Sequence, residues 1–148
     1  MRYLVSAMLL IVGILHLLPV SGVLGAGHLT ALYGLPFSEP NLEILMRHRA
    51  VLFGLLGCFL IFAAFKPAFR TLALIAGATS VLSFLALAAS VGGYNALVAR
   101  VFAADLVALS CLIVAAVGIA LAASRVKAGS TYSGVALVVT QKPRDGTR

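Results

Sequence analysis

Acidic side chains are nearly missing from this chain. Of 148 residues, Asp and Glu together number only 4, against 11 Lys and Arg. Charged residues of both signs make up 10% of the whole and hydrophobic residues 62%, and mean hydropathy is +1.13. A soluble domain of this size does not cover so much apolar surface with so few polar groups. Catalytic signatures are missing too: there are no paired carboxylates for acid–base work, no Ser–His–Asp spacing and no glycine loop to cradle a phosphate. The two cysteines, Cys58 and Cys111, lack metal-ligand spacing. They read as buried free thiols acting as small hydrophobes.

What the chain does contain is four apolar stretches, residues 4–24, 50–65, 71–91 and 98–123, with most of the charges between them. A bilayer core of about 30 Å needs roughly 20 apolar residues per helix. Three stretches reach that length and the second falls short. The expected fold is all-α: a polytopic membrane protein whose residues 1–123 form an antiparallel four-helix transmembrane bundle with a short outer interfacial helix. Residues 124–148 read as a polar, basic, cytoplasmic tail that is largely disordered. The first stretch follows Arg2 and precedes small residues, as in a signal peptide. Its apolar run is longer than the usual hydrophobic region of such a peptide, so it reads as a true span.

The net charge of +7 would suggest nucleic acid in a soluble protein. Here the basic residues flank spans, and no basic patch carries interleaved aromatics, so nucleic acid is not an expected partner. Arg2, Lys66, Arg70, Arg125 and Lys127 fall on one side of the predicted bundle. That bias places both termini in the cytoplasm, with the bundle in a bacterial inner membrane. Arg47 and Arg49 fall on the opposite side and are exceptions to the rule.

Local signals fill in the connections. Leu29, Leu32 and Tyr33 recur at helical spacing, which predicts a short helix at the interface, with Tyr33 at headgroup level and Gly34 and Pro36 ending it. Ser38 or Asn41 is the expected N-cap of a long helix from about residue 39 to residue 65. Such a helix is roughly 40 Å long, which explains its short apolar part: its first turns stand above the bilayer core, with Glu43 and Arg47 paired at i, i+4. Lys66-Pro67 stops it, and Gly92-Gly93-Tyr94-Asn95 forms the last turn. Gly54, Gly57, Gly77 and Ala78 are small residues of the kind that let helices approach closely in lipid.

Ionisable groups within spans are costly and therefore informative. Counting helix rise brings His16, Arg47, Arg49, Asn95, Arg100 and Asp105 toward one side of the bilayer. Two readings of this polar cluster stand side by side. In one, an Arg–Asp pair with a histidine hydrogen bond pins helix register. In the other, the cluster lines a pocket for an amphiphile with a polar head, such as a quinone or a lipid. His28 reads as interfacial and His48 as exposed, so no metal site is expected. A haem would need two histidines at mid-membrane depth, and only His16 comes near it.

The stretch Leu32-Tyr33-Gly34-Leu35-Pro36-Phe37-Ser38-Glu39-Pro40-Asn41-Leu42, with Met46-Arg47-His48-Arg49-Ala50 and Phe53-Gly54 after it, resembles small bacterial four-helix membrane proteins of the DoxX-like kind. Within that group it looks closest to proteobacterial chains labelled phosphopantetheine adenylyltransferase. The resemblance covers roughly residues 1–123. It implies the four-helix membrane fold and, for some relatives, a link to quinone-coupled sulfur oxidation or redox stress. The soluble adenylyltransferases use a Thr/His-x-Gly-His motif within an α/β nucleotide fold. Gly25-Ala-Gly-His28 lacks the first polar residue and follows a span, not a strand, so adenylyl transfer is not expected.

The functional expectation is therefore an integral membrane protein without an evident catalytic motif. It would serve as an accessory subunit or small-ligand binder, with membrane lipids and either a larger membrane complex or a second copy as partners. The alternative is a quinone- or lipid-handling enzyme or transporter that moves protons through His16 and Asp105.

Overall fold

The computed structural model describes the backbone of residues 2–140 and the side chains of residues 3–125. Among these residues five α-helices follow one another: α1 (Arg2–Leu17), α2 (Ala26–Tyr33), α3 (Pro40–Phe65), α4 (Arg70–Val91) and α5 (Ala96–Thr140). A 3₁₀ segment, Leu18–Leu24, links α1 to α2, and a 3₁₀ turn, Pro67–Phe69, links α3 to α4. The described residues contain no strand. Among the described residues, four segments are long and apolar enough to cross a membrane: Tyr3–Leu24, Pro40–Phe65, Pro67–Val91 and Ala96–Arg125. The chain is a multi-pass membrane protein with an all-α bundle. Helices satisfy every interior backbone donor and acceptor within the segment, which lipid requires. The helix of α5 runs past residue 124, where the polar tail was expected to begin, and residues 141–148 lie outside the described residues.

The interior is built on α1. Val5, Leu9, Val12 and His16 are spaced 4, 3 and 4 residues apart, so they share one face, and all four are buried. Val5, Leu9 and Val12 pack against Leu60, Ala63 and Ala64 of α3, Ala73 and Val81 of α4, and Ala108, Leu112 and Ala115 of α5. Many other large apolar side chains, such as Leu55, Ile75 and Val117, are exposed. They are the surface offered to acyl chains. Lipid is as apolar as leucine, so close packing rather than water exclusion holds the helices together. The tightest crossing is between Gly13 and Gly57. A Cβ on Gly57 would sit 2.9 Å from the Gly13 carbonyl oxygen and from Leu17, and a Cβ on Gly13 would sit 2.6 Å from Ile61.

A second, smaller cluster covers one end of the bundle. Leu29 and Tyr33 of α2 pack with Phe37 from the following loop, against Met46 of α3 and Val101 of α5. Gly34 ends α2 with φ 68°, a left-handed conformation that favours glycine. Tyr33 is buried within the protein. It serves as the central ring of this cap.

The N-cap of α3 also differs from expectation. Neither Ser38 nor Asn41 fills the role; the Glu39 carboxylate does, accepting from the backbone N–H of Asn41 at 3.0 Å and of Leu42 at 2.6 Å. Pro40 then occupies the first helical position, where a missing N–H costs nothing. The expected Glu43–Arg47 pair forms at 3.3 Å. Cys58, expected to be buried, is exposed, while Cys111 is half-buried; both are free thiols.

Two outcomes test this description. Gly57→Leu drives a side chain into the α1 backbone and is expected to destabilise the bundle by about 1–3 kcal/mol in a detergent thermal melt. Gly27→Ala, with no atom within 4 Å of the added Cβ, leaves the midpoint unchanged. The backbone N–H of Asn41, then that of Leu42, hold the Glu39 carboxyl below its ordinary 4.5. A depressed carboxyl contributes stability above its unfolded pKa and loses it as pH falls through the folded one. Glu39→Gln is therefore expected to lower the melting midpoint at pH 7, with the difference from wild type shrinking as pH falls below 4.5 and through the depressed folded value.

Candidate functional site

At the end of the bundle covered by α2 lies a cavity of about 300 Å³. Its polar lining is His16, Tyr33, Arg49, Arg100 and Asp105, and its apolar walls include Leu15, Leu32, Phe53, Leu97 and Val101. Each polar group arrives by helix geometry. His16 continues the interior stripe of α1. Arg49 sits one residue before the buried Ala50 of α3. Arg100 and Asp105 lie in the first turns of α5.

His16 is buried and 3% exposed. Its Nδ1 lies 2.9 Å from the Val12 carbonyl oxygen. A carbonyl only accepts, so Nδ1 carries the proton and, in the neutral ring, Nε2 is left as an acceptor. Nε2 is buried and has no hydrogen-bond partner. The ring lies beside Phe53, with centroids 5.6 Å apart.

Arg49 is held by aromatic rings and makes no hydrogen bond among the described residues. Its guanidinium carbon lies 4.9 Å from the Phe53 centroid, 5.6 Å from Tyr33 and 5.8 Å from Phe84. Ring faces stabilise a cation by about 0.5–2 kcal/mol each and supply no acceptor. The five N–H donors of Arg49 therefore remain available. Asp105 is half-buried, and Arg49 is the cation that acts on its carboxylate. No hydrogen bond ties Asp105 to protein among the described residues, and the one ion pair there joins Arg47 to Glu43. The Arg–Asp pair with a histidine hydrogen bond, one of the two sequence readings, is thus not formed. His16 bonds its own helix, and the three groups face one cavity without pairing.

The remaining two residues of the expected cluster lie elsewhere. Arg47 is exposed and reaches the Val23 carbonyl at 3.0 Å and Glu43 at 3.3 Å. It ties the 3₁₀ segment to α3, because it points away from its neighbour Arg49. Asn95 caps α5, its Oδ1 accepting from Leu97 and Val98, while its Nδ2 donates to the Tyr33 carbonyl at 2.8 Å. It joins α2 to α5 but does not line the cavity. His28 and His48 are exposed, away from His16. No group of three His, Cys, Asp or Glu side chains poised for a metal occurs among the described residues.

Sequence reasoning missed the aromatic cage. Phe53 is four residues after Arg49, so a helix places the ring beside the guanidinium; that spacing was readable. Tyr33 and Phe84 come from distant segments and carry no such signal. A second cavity, about 190 Å³, shares Tyr33, Arg49 and Val101 with the first and is otherwise apolar, with Phe37, Met46 and Phe84 among its walls. Arg49 and Tyr33 are the partition between the two.

Compared with family models, curated proteins and solved structures, the chain matches none. The functional reading therefore rests on this geometry.

Asn95→Ala removes a helix cap and the tie to α2, and is expected to cost about 1 kcal/mol of stability. A detergent melt measures it, with Arg100→Gln, which removes an exposed side chain, expected to stay within about 0.5 kcal/mol of wild type.

Proposed function

We propose that this protein binds a membrane-soluble amphiphile, holding its polar head in the cavity between α1, α2, α3 and α5. One observation carries the reading. Three hydrogen-bonding groups that use none of their cavity-facing capacity surround a single apolar-walled space: the Nε2 acceptor of His16, the donors of Arg49 and the carboxylate of Asp105. Buried polar groups are normally partnered, and a set of donors and acceptors on apolar walls is the usual make-up of a ligand site. The set is mixed, so the favoured head presents both a hydroxyl to donate and a carbonyl to accept, as a quinone–quinol couple or a glycerolipid does. A volume of about 300 Å³ is at the small end of ligand sites. It takes a head group, while the tail stays among lipid chains or in the adjoining apolar cavity.

Binding is the leading reading because the three groups stand unpaired with one another around an apolar-walled space that suits a neutral polar head. The role is that of a small-ligand binder or accessory subunit within a membrane assembly. A second reading, a quinone- or lipid-handling enzyme or transporter of the DoxX-like kind, draws on the same Nε2 and Asp105, which are placed to exchange a hydroxyl proton.

Charge supports an orientation. At the cavity end, Arg47, Arg49 and Arg100 face an equal number of carboxylates, Glu39, Glu43 and Asp105. At the other end, Lys66, Arg70 and Arg125 have none among the described residues. The positive-inside rule favours the uncompensated end as the cytoplasmic one. On this reading both ends of the bundle sequence are cytoplasmic, the membrane is a bacterial inner membrane and the cavity opens toward the outer leaflet.

The test is native mass spectrometry of the full chain extracted in mild detergent. Wild type is expected to carry a stoichiometric amphiphile of the quinone or lipid class. Arg49→Leu, and Ala104→Leu, which fills the cavity without removing a polar group, should reduce its occupancy at least about tenfold. His28→Gln leaves it unchanged. An empty wild type, or full occupancy in both cavity variants, overturns the proposal.

A further inference from the structure

The opposite end of the bundle carries a different polar group. Arg70, the first residue of α4, turns back toward α1 and α3. Its Nη2 donates to Ser6 Oγ at 2.7 Å and to the Ala64 carbonyl at 2.8 Å, and Ser6 Oγ donates to the same carbonyl at 2.8 Å. Ala64 is in the last turn of α3, whose carbonyls have no intrahelical donor, so Arg70 closes that helix end. These bonds use both Nη2 hydrogens. Nη1 makes no hydrogen bond among the described residues, and Nε is buried without a partner.

Arg70 and Pro67 are shared by two cavities. One, of about 710 Å³, is bounded by Tyr3, Ala7, Leu10 and Phe65; the other, of about 230 Å³, by Val5, Thr71, Gly118 and Ala122. Neither is lined by a carboxylate. Glu39, Glu43 and Asp105 belong to the far end, and Asp145 lies outside the described residues. Lys66, just before the turn, and Arg125, three residues after Ala122, add exposed positive charge. A guanidinium already fixed by two hydrogen bonds loses little freedom on binding. Its Nη1 keeps two N–H donors for the oxygens of a phosphate.

We propose that Arg70 holds the phosphate of an anionic phospholipid, with the acyl chains lying along the apolar walls beside Leu10 and Phe65. A lipid is favoured over a free phosphate because Ala7, Leu10, Ala64, Phe65 and Pro67 form one continuous apolar part of the larger cavity's lining beside Arg70, which suits chains attached to the head. Basic pockets between transmembrane helices recognise phospholipid heads in this way. This site is separate from the amphiphile cavity, and either assignment stands without the other.

The test is a thermal melt of the full-length protein in uncharged detergent. It is titrated separately with dioctanoyl phosphatidylglycerol, dioctanoyl phosphatidylcholine and inorganic phosphate. Phosphatidylglycerol is expected to raise the midpoint by about 3 °C or more, and the other two to leave it in place. Arg70→Lys keeps the charge but loses the fixed guanidinium plane with its Nη1 donors, and should weaken the phosphatidylglycerol response at least about tenfold. Because that variant also disturbs the α3 end, Thr71→Glu is the second arm. A carboxylate in the first turn of α4 is favourable for the helix and competes for Arg70, so the variant is expected to fold but not to respond. Equal shifts with phosphatidylcholine or inorganic phosphate, or a wild-type response from Thr71→Glu, overturn the proposal.

Discussion

The bundle depends on how closely α1 and α3 can approach, because lipid gives its helices no hydrophobic reason to associate. At Gly13 and Gly57 the two backbones come near enough that either Cβ would collide. That approach brings Val5, Leu9 and Val12 into contact with the other three long helices. It also sets the depth of the two residues at the ends of the α1 interior face. Ser6 meets Arg70 at one end, and His16 meets Phe53 at the other. A looser crossing would leave the polar groups at both ends facing lipid, where unsatisfied donors and acceptors are expensive. Packing at the waist and polar chemistry at the ends are therefore one constraint.

Much of this was legible in the residues. The four spans follow from the length of apolar runs, and the 3₁₀ turn after Lys66 follows from Pro67. The short apolar part of α3 was correctly read as a longer helix whose first turns are polar, because Glu43 and Arg47 continue the helical spacing and do pair. The cap of α3 was misread for a physical reason. Ser38 and Asn41 have the more usual capping side chains, but Pro40 fixes the first helical residue, and that leaves Glu39 in the capping position. The cysteines show a further limit. Hydropathy places Cys58 within a span but does not say which face of α3 it occupies, and that face is exposed.

The polar cluster was legible in depth and not in direction. Rise along a helix gives the level of a residue, and by that measure all six candidates share one end of the bundle. Rotation about the axis decides which of them meet. Arg47 and Arg49 are two residues apart, roughly 200° around a helix, so only one of them can face the interior. The stripe Val5, Leu9, Val12, His16 held that rotational information for α1, since the periodicity of apolar residues defines the inner face. For α5, Ala108, Leu112 and Ala115 define it equally well. Asn95 could not have been assigned this way, because its role comes from the end of α2, a partner far away in sequence.

The two ends of the bundle solve the problem of a half-buried guanidinium in opposite ways. Arg70 is fixed through hydrogen bonds to oxygen, which orient its plane and consume part of its donor capacity. Arg49 is fixed by ring faces, which hold the charge while consuming none. A guanidinium held only by rings is poised to bond whatever enters beside it, and the nearby Asp105 carboxylate means that the entering group need not be an anion. At Arg70 no carboxylate is at hand among the described residues, so the uncompensated charge itself selects the partner. The same side chain thus leads to a mixed donor–acceptor head at one end and to a phosphate at the other, and the difference lies in what surrounds it.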